Sequence, residues 1–356
     1  MINQPLVSVV MVTRNVERFL SEAIESVLSQ TLQNLEFIIV DFGSVDQSKD
    51  IVASYAARDR RIVFSQIPQC GLAAARNVGC SLAKGHYIAI QDADDMSLPH
   101  RLMTEVEFGL AHPEVGLVGS AIQRVDENGK CLDIVDNFPT EDWEIKRELK
   151  KWNPFWQPTV LILREAFTQV GGYREALPPS EDYDLWLRIS ERYKCANVKQ
   201  VLVKYRIHGG QLSVRKRKEQ ILCALAAQAS VSFRQNGDSD PLDRASQLTP
   251  MLFAEMGVSE GAQRSALAEG FLYWMKEGYA SHQYETVLEA GQEMFQMQKG
   301  ADTADLFSEA RLIVAKIYWK QRRMVCSCYS FGYAILSSTK SVKRVLELLL
   351  RSPGSA

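Results

Sequence analysis

Strand and helix signals alternate through the first hundred residues of this 356-residue chain. Short apolar runs at 7–12, 35–40, 62–64 and 86–91 have the length of buried strands. The segments between them repeat their apolar residues at helical spacing. This alternation is typical of a parallel sheet with helices on both faces. We therefore predict an α/β fold with a mixed, mainly parallel sheet sandwiched by helices.

The pattern changes twice further along the chain. Strand signals continue at 115–119, 159–163 and 198–207, and a helix is predicted from Tyr183 to Ile189. From Arg215 onward the sequence has helical character, and glycines and prolines near Gly237–Pro241 indicate a break. The length favours two domains, and we place them at 1–215 and 216–356, the second as an all-α C-terminal region.

Acidic residues follow two of the predicted strands. Asp41 ends one strand, and Asp92-Ala93-Asp94-Asp95 follows another. Because ligands of such sheets bind beyond the carboxyl ends of the strands, Asp41 and Asp92 should face one crevice. Carboxylates this close repel each other unless a cation lies among them, and Mg²⁺ binds carboxylate and phosphate oxygens together. The sequence thus predicts a metal and a phosphorylated ligand, with one alternative, that Asp95 caps the next helix.

Composition excludes several classes of protein. A net charge of −2 argues against a dedicated nucleic-acid binder. The seven cysteines have neither the spacing of a zinc site nor that of a disulfide framework. No apolar stretch reaches the roughly 20 residues of a membrane span, and no export signal precedes the first strand. We expect a cytoplasmic protein.

The C-terminal segment 301–356 is basic and carries apolar residues at 342–350. It could form an amphipathic helix that contacts the inner face of the membrane peripherally, and packing on a partner or on the chain itself is the alternative. The run Arg215–Lys218 is usually a solvated surface, although it could also meet anionic headgroups or a pyrophosphate-linked acceptor.

Eight motifs in order resemble the family 2 glycosyltransferases, which have the GT-A fold and bind nucleotide sugars. The resemblance covers about residues 5–215. Its segments are Val7–Asn15, Ala23–Thr31, Ile38–Ser44, Gly71–Asn77, Asp92–Asp95, Gly171–Tyr173, Glu181–Trp186 and Tyr205–His208. The resemblance implies metal-dependent, inverting transfer of a sugar from a nucleotide-diphosphate sugar to a hydroxyl of a glycan, glycolipid or related acceptor, as in polysaccharide biosynthesis.

The resemblance assigns a role to each site residue. It implies that Asp94 binds Mn²⁺ or Mg²⁺ through the donor diphosphate and that Asp182 is the general base that deprotonates the acceptor. Asp92 is expected to contact the ribose or support the metal, and His208 is a candidate third metal ligand or else a histidine facing water at a strand end. The predicted substrate-binding residues are Thr13, Arg14, Asp41, Arg76, Asp92 and Glu181.

Some of these residues also have structural interpretations. Asp41 could form a turn with its own backbone, and Arg76 could belong to an ion pair with Asp41 or Glu25. Asp182 could simply interact with the dipole at a helix start. The tryptophans at 152, 156 and 186 could stack on an acceptor sugar, although core packing is the more common role of tryptophan.

The chain departs from the family pattern at three positions. The family often has Asp where this chain has Phe42, Tyr in place of Arg14, and Pro in place of Val12. A UDP-sugar is therefore not implied, and Phe42 or Arg14 could instead stack on a base.

Two other functions remain open from the sequence. A nucleotidyltransferase is the first, but such enzymes usually have a glycine-rich loop after the first strand, and this chain has Thr13–Val16 there. A catalytically silent nucleotide-sugar-binding scaffold is the second, and turnover with an acceptor would distinguish it from an enzyme.

Overall fold

The computed structural model describes residues 4–211, 215–280, 283–297, 303–321 and 330. Within these residues the chain forms one nine-stranded sheet. Its strands are β1 (Val7–Thr13), β2 (Leu35–Asp41), β3 (Ile62–Gln66), β4 (Tyr87–Asp92), β5 (Met96–Ser97), β6 (Val115–Val125), β7 (Cys131–Val135), β8 (Leu161–Leu163) and β9 (Lys194–Arg206). The strand order is β3-β2-β1-β4-β8-β6-β9-β5, and β7 pairs with β6.

The sheet is mixed. Strands β3, β2, β1 and β4 run parallel, as do β6 and β9, whereas β8 is antiparallel to both of its neighbours. The predicted mixed, mainly parallel α/β fold is therefore confirmed.

In chain order, helices lie between the strands and continue after the last strand. They are α1 (Glu17–Leu28), α2 (Ser48–Ala56), α3 (Leu72–Leu82), α4 (Arg101–Ala111), α5 (Asp142–Leu149), α6 (Arg164–Gln169), α7 (Glu181–Ser190), α8 (Arg217–Asn236), α9 (Pro250–Glu255), α10 (Glu260–Ala280), α11 (Tyr284–Phe295) and α12 (Ala304–Lys320). Short 3₁₀ helices lie at Gln157–Thr159 and Pro241–Arg244.

Both faces of the central parallel strands β1, β2 and β4 are covered. Val9 and Met11 of β1 share a core with Leu20 of α1, whereas Val10, on the opposite face, lies under Gly79 of α3. Since neither face meets water, these strands are continuous apolar runs rather than alternating ones. The polar residues Thr13, Asp41 and Asp92 are the last residues of these three strands.

Three local features differ from the sequence prediction. Strand β5 has two residues, which is too short for a periodic signal. Strand β7 returns after a turn in which Gly129 has φ +81°, and only the turn was predicted. Helix α7 begins at Glu181, two residues before its predicted start at Tyr183, so Glu181 and Asp182 lie in its first turn.

The described chain divides into two compact units. The first contains the residues up to 211 together with 226–252, and the second contains the described residues of 212–225 and those from 253 onward. The predicted boundary between residues 215 and 216 treats all later residues as one region, whereas residues 226–252 group with the sheet.

The second unit is helical, as predicted, and has its own apolar core. Phe271 and Met275 of α10 pack with Met294 of α11 and Phe307 and Ile317 of α12. Helices α10 and α11 lie close together at Gly278. A Cβ atom added at this position would lie only 2.7 Å from Val287 Cγ2, so the close approach requires a glycine.

None of the described helices is both long and apolar enough to cross a membrane. The predicted amphipathic segment, with its apolar residues at 342–350, lies outside the described residues, and its peripheral membrane contact stays a prediction. Of the basic run, Arg217 is 3% exposed and pairs with Glu293 (3.2 Å), so the interpretation of that run as a wholly solvated surface is wrong at this position.

Candidate active site

Three adjacent strands bring predicted site residues to one edge of the sheet. Thr13 of β1 is in register with Asp41 of β2, and Val12 is in register with Asp92 of β4. The strands are parallel, so their carboxyl ends open on the same side. Asp41 and Asp92 therefore lie at the carboxyl ends of β2 and β4, one on each side of β1.

Asp41 forms the turn that follows β2. Its Oδ1 accepts the backbone N–H groups of Gly43 (3.2 Å) and Ser44 (3.1 Å). Its Oδ2 and Thr13 Oγ1 are buried without a protein partner. The structural interpretation of Asp41 thus holds for one oxygen, while the second oxygen and the threonine hydroxyl have unused hydrogen-bonding capacity at the strand ends.

Arg14 and Phe42 contact each other beside these strand ends. The guanidinium of Arg14 lies 5.8 Å from the centroid of the Phe42 ring. Phe42 is 9% exposed and Arg14 is exposed. Of these two residues, Arg14 is therefore the accessible one.

The acidic turn after β4 is fixed by β9. Asp95 is 1% exposed, and its Oδ1 accepts the backbone N–H of Arg206 at 2.7 Å. The guanidinium of Arg206, also buried, donates to the carbonyl of Asp94 (3.0 Å) and to Glu22 (2.6 Å). Helix α4 begins at Arg101, so the alternative that Asp95 caps this helix is wrong.

The three acids of this turn differ in environment. Burial raises the pKa of Asp95 well above its ordinary value, and the charges of Asp94 and Asp92 raise it further. Burial also raises the pKa of Asp92, an effect that Arg76 opposes. Asp94 is a quarter exposed at its side chain and is the acid of the turn that faces His208.

His208 lies directly against Asp94. Its Nε2 is 2.9 Å from Asp94 Oδ2, its ring packs 4.8 Å from Phe19, and its side chain is 14% exposed. The backbone N–H of Gly210 donates to Nδ1 at 3.2 Å, so a neutral ring carries its proton on Nε2, toward Asp94. The alternative of a histidine facing water is wrong.

The Asp94–His208 pair fits a divalent cation that shares its ligands with a substrate. It offers a carboxylate oxygen of Asp94 and, once a cation has displaced the proton between Nε2 and Oδ2, the Nε2 atom of His208. Both side chains are partly accessible. No three acidic, histidine or cysteine side chains among the described residues are grouped as a metal cage. Mg²⁺ usually takes one or two carboxylates plus phosphate oxygens and water, so two protein ligands suit that mode of binding.

Arg76 joins the donor-side acids to the start of α7. Its guanidinium donates to Glu181 and, at 3.0 Å, to Asp92 Oδ1, and it lies 5.8 Å from the ring centroid of Tyr173. Burial lowers the pKa of Arg76, but Glu181 and Asp92 raise it by more, so the arginine stays charged. Its ion-pair partners are these two acids rather than the Asp41 or Glu25 considered from the sequence.

Asp182 is half-buried in the first turn of α7. Its Oδ1 accepts the N–H of Tyr183 at 2.7 Å, and its Oδ2 accepts Asn153 Nδ2 at 3.2 Å. Burial raises the pKa of Asp182, while Arg76, backbone N–H groups and Asn153 lower it. For Glu181, burial raises the pKa and Arg76 lowers it. Asp182 is the more accessible acid of this pair, because Glu181 is 2% exposed and occupied by Arg76.

The three tryptophans have different environments. Trp186 is fully buried with its ring 6.3 Å from Phe155, so the favoured core interpretation is right for it and the alternative of a sugar contact is wrong. Trp152 is 41% exposed and donates to Glu148. Trp156 is half-buried, 5.1 Å from Tyr205. A sugar contact at Trp152 or Trp156 stays a prediction.

Sequence reasoning missed several residues that hold the site. Asn77 makes two bonds with the backbone of Tyr173, at 2.8 and 2.9 Å, which fixes the Gly171–Tyr173 segment. Arg206 and Asn153 are the others. Asn77 and Arg206 lie inside motifs recognised in the sequence, but Asn153 has no local signal because its partner is 29 residues away.

The chain is similar in sequence to known glycosyltransferases. The model of the family described as "Glycosyl transferase family 2" matches residues 8–169. An uncharacterized glycosyltransferase of Methanocaldococcus jannaschii is 35% identical over 227 residues, which cover 62% of this chain and 77% of the relative. The O-antigen biosynthesis glycosyltransferase WbnJ of Escherichia coli is 30% identical, with 57% and 80% covered. The amylovoran biosynthesis glycosyltransferase AmsE of Erwinia amylovora is 33% identical, with 56% and 74% covered.

Two solved structures share the fold. A crystal structure of S. aureus TarS 1-349 has a TM-score of 0.53 at 16% identity and covers 90% of this chain and 88% of its own. The mannosyltransferase PcManGT from Pyrobaculum calidifontis, in complex with GDP-Man and Mn²⁺, has a TM-score of 0.53 at 18% identity, with 94% and 87% covered. At these identities the likeness establishes the fold.

Proposed function

The chain belongs to glycosyl transferase family 2, and we propose that it moves a sugar from a nucleotide-diphosphate sugar to a hydroxyl of a glycan or lipid-linked acceptor, with a divalent metal and with inversion at the anomeric carbon. One observation carries the proposal. Arg76 links Asp92 of the acidic turn to Glu181, the neighbour of Asp182, so the turn that contains Asp94 is connected to the helix start that carries the accessible carboxylate of Asp182.

The strand ends are proposed to bind the nucleoside of the donor. Thr13 Oγ1 and Asp41 Oδ2 are polar atoms without protein partners at adjacent positions of β1 and β2. Arg14 is exposed beside them and offers a planar cation to a base or a phosphate. Asp92, held by Arg76, is proposed to contact the donor ribose.

Asp94 and His208 are proposed to hold Mn²⁺ or Mg²⁺. When bound, such an ion neutralises the negative charge that grows on the departing nucleoside diphosphate. The Mn²⁺ and GDP-Man in the P. calidifontis mannosyltransferase support this assignment. Arg206 keeps Asp94 in place by holding its carbonyl, and Asp95 anchors the same turn to β9.

Asp182 is proposed to act as general base. Its carboxylate takes the proton of the acceptor hydroxyl while that oxygen attacks the anomeric carbon and the bond to the diphosphate breaks. Attack opposite to the leaving group inverts the configuration. The naming of WbnJ and AmsE for O-antigen and amylovoran biosynthesis supports a glycan acceptor. Family membership disfavours the nucleotidyltransferase alternative.

The variant Asp182→Asn tests this assignment. We expect transfer to fall by about 100-fold or more, the usual contribution of a positioned base, while the shift in melting temperature on adding donor stays that of the wild type. Asp243→Asn, an exposed change in the same unit, is the control. Wild-type transfer by Asp182→Asn would remove Asp182 from the mechanism, and a wild-type enzyme without turnover on any glycan acceptor would favour the silent scaffold.

A further inference from the structure

We propose that Asn153 is a positioning residue that holds the carboxylate of Asp182 in its reactive orientation. This inference rests on the proposed function, which makes Asp182 the base. Asn153 lies in the loop between α5 and the 3₁₀ helix at Gln157–Thr159.

The orientation of the Asn153 amide is determined by its two partners. Its Oδ1 accepts the backbone N–H of Phe155 at 3.1 Å, and its Nδ2 donates to Asp182 Oδ2 at 3.2 Å. Exchanging oxygen and nitrogen would place an NH₂ group against an N–H and an oxygen against a carboxylate. The amide therefore presents a donor to Asp182.

The two oxygens of the base are thus held by donors from two different parts of the chain. Oδ1 is bound by the N–H of Tyr183 within α7, and Oδ2 is bound by Asn153 from a separate loop. One donor on each oxygen fixes the side-chain torsion of Asp182. Each oxygen keeps a further lone pair for an acceptor hydroxyl.

The hydrogen bond from Asn153 also favours the ionised form of Asp182. Three charged groups interact with this carboxylate, namely Arg76 from α3, Glu181 from α7 and Asp92 from β4. Arg76 favours the ionised base, whereas the two acids and burial disfavour it. A hydrogen bond to the charged form favours that form, so loss of Asn153 should make Asp182 harder to ionise.

Two variants separate this role from a merely structural one. Asn153→Asp has nearly the same shape and keeps the acceptor for Phe155, but it replaces the donor to Asp182 by an oxygen. Asn153→Ala removes both bonds. Asn236→Asp, at the exposed end of α8, makes the same chemical change away from the site and is the control.

We expect kcat at neutral pH to fall by about 10- to 100-fold in both variants, the value of a hydrogen bond to a charged group. The acid limb of the kcat–pH profile should move to higher pH, most in Asn153→Asp. The shift in melting temperature on donor binding should stay that of the wild type. Wild-type kcat together with an unmoved acid limb in Asn153→Asp, or in Asn153→Ala if the first variant does not fold, would overturn the proposal.

The failure of this inference is distinguishable from failure of the proposed base. If Asp182→Asn is inactive while Asn153→Asp behaves as the wild type, Asp182 remains the base and only the role of Asn153 is rejected. If Asp182→Asn is active, the base itself is misassigned. If both roles are correct, adding Asn153→Ala to Asp182→Asn lowers activity no further.

Discussion

Single buried side chains determine the shape of the acidic turn. Arg206 contacts Asp94 and Glu22, and the backbone N–H of Arg206 binds Asp95. In addition, the side-chain amide of Gln91, in β4, donates to the carbonyls of Asp92 and Asp95 at 3.0 Å each. These bonds hold the backbone of the turn and so keep its mutually repelling acids together.

A buried ion pair supports Gln91 in turn. Arg101 donates to Gln91 Oε1 (3.2 Å), to Ser97 (3.0 Å) and to Glu105 (3.1 Å). Glu105 is fully buried, and one of its oxygens has no protein partner. Burial raises the pKa of Glu105 to about 7, against the lowering effect of Arg101.

We predict that Glu105 makes the protein less stable as the pH rises toward neutrality. Because the pKa is higher in the folded state, the stabilisation from this group is complete below the pKa of the unfolded chain, near 4.5, and is lost as the pH rises to about 7. The loss is up to about 3 kcal/mol. In urea unfolding, the free energy of unfolding should decline less between pH 5 and pH 7.5 in Glu105→Gln than in the wild type.

Glu107→Gln, an exposed change on the same helix, should keep the pH dependence of the wild type. An equal decline in Glu105→Gln and wild type would mean that Glu105 is ionised throughout this range.

Individual site residues differ in how far the sequence alone predicts them. Asp41, Asp92 and Asp94 are visible locally because each follows an apolar strand run. The pairing of Arg76 with Glu181 joins residues 105 positions apart, and that of Asp94 with His208 joins residues 114 apart. No local pattern encodes such pairs, so only the family resemblance pointed to these residues.

At the scale of elements, helix α3 delivers Arg76 and Asn77 to the site because it packs closely on the sheet. A Cβ at Gly79 would lie 2.6 Å from Val10 Cγ1 and 3.3 Å from Val40 Cγ2. Valine is branched at Cβ and cannot easily rotate away. The glycine therefore sets the distance between α3 and the two strands.

Gly79→Ala is predicted to lower the free energy of unfolding by about 1–3 kcal/mol, the usual cost of overpacking a core. Chemical denaturation measures this directly. Gly71→Ala, at the start of the same helix, has no atom within 4 Å of the added carbon and should cost much less. Equal stabilities of the two variants would contradict the close packing of α3.

The strands differ in how well the sequence predicts them, and the reason is physical. Strands β1, β2 and β4 are buried on both faces, and their apolar runs are therefore unambiguous. Strand β5 exists only through its pairing with β9, Met96 with Lys204 and Ser97 with Val203. A two-residue strand of this kind depends on tertiary contacts that the local sequence does not contain.

At the scale of the whole molecule, residues after the family motifs complete the sheet unit. Asp240 is 3% exposed, and its Oδ2 accepts Arg174 (2.9 Å) and Arg234 (2.5 Å). Arg174 also contacts Asp184 of α7 at 3.1 Å. The segment 226–252 is thereby attached to the helix that carries Asp182.

We predict that Asp240→Ala lowers the free energy of unfolding by about 3–5 kcal/mol, because it leaves two largely buried arginines without this partner. Asp243→Ala is a matched control, since Asp243 contacts the same Arg174 at 2.5 Å but its side chain is 66% exposed. That variant should change stability by less than about 1 kcal/mol. A similar loss in both would show that burial of the network is not what stabilises it.

The measurement that most directly tests the account is the melting temperature of wild type and Asp94→Asn with UDP-, GDP-, dTDP- and CMP-sugars, each with and without Mn²⁺. A ligand that binds only the folded state raises the melting temperature by mass action. We predict a rise with one class of donor that requires Mn²⁺ and is absent in Asp94→Asn. A rise that is independent of Mn²⁺, or that persists in Asp94→Asn, would contradict the assignment of the metal and donor to this site.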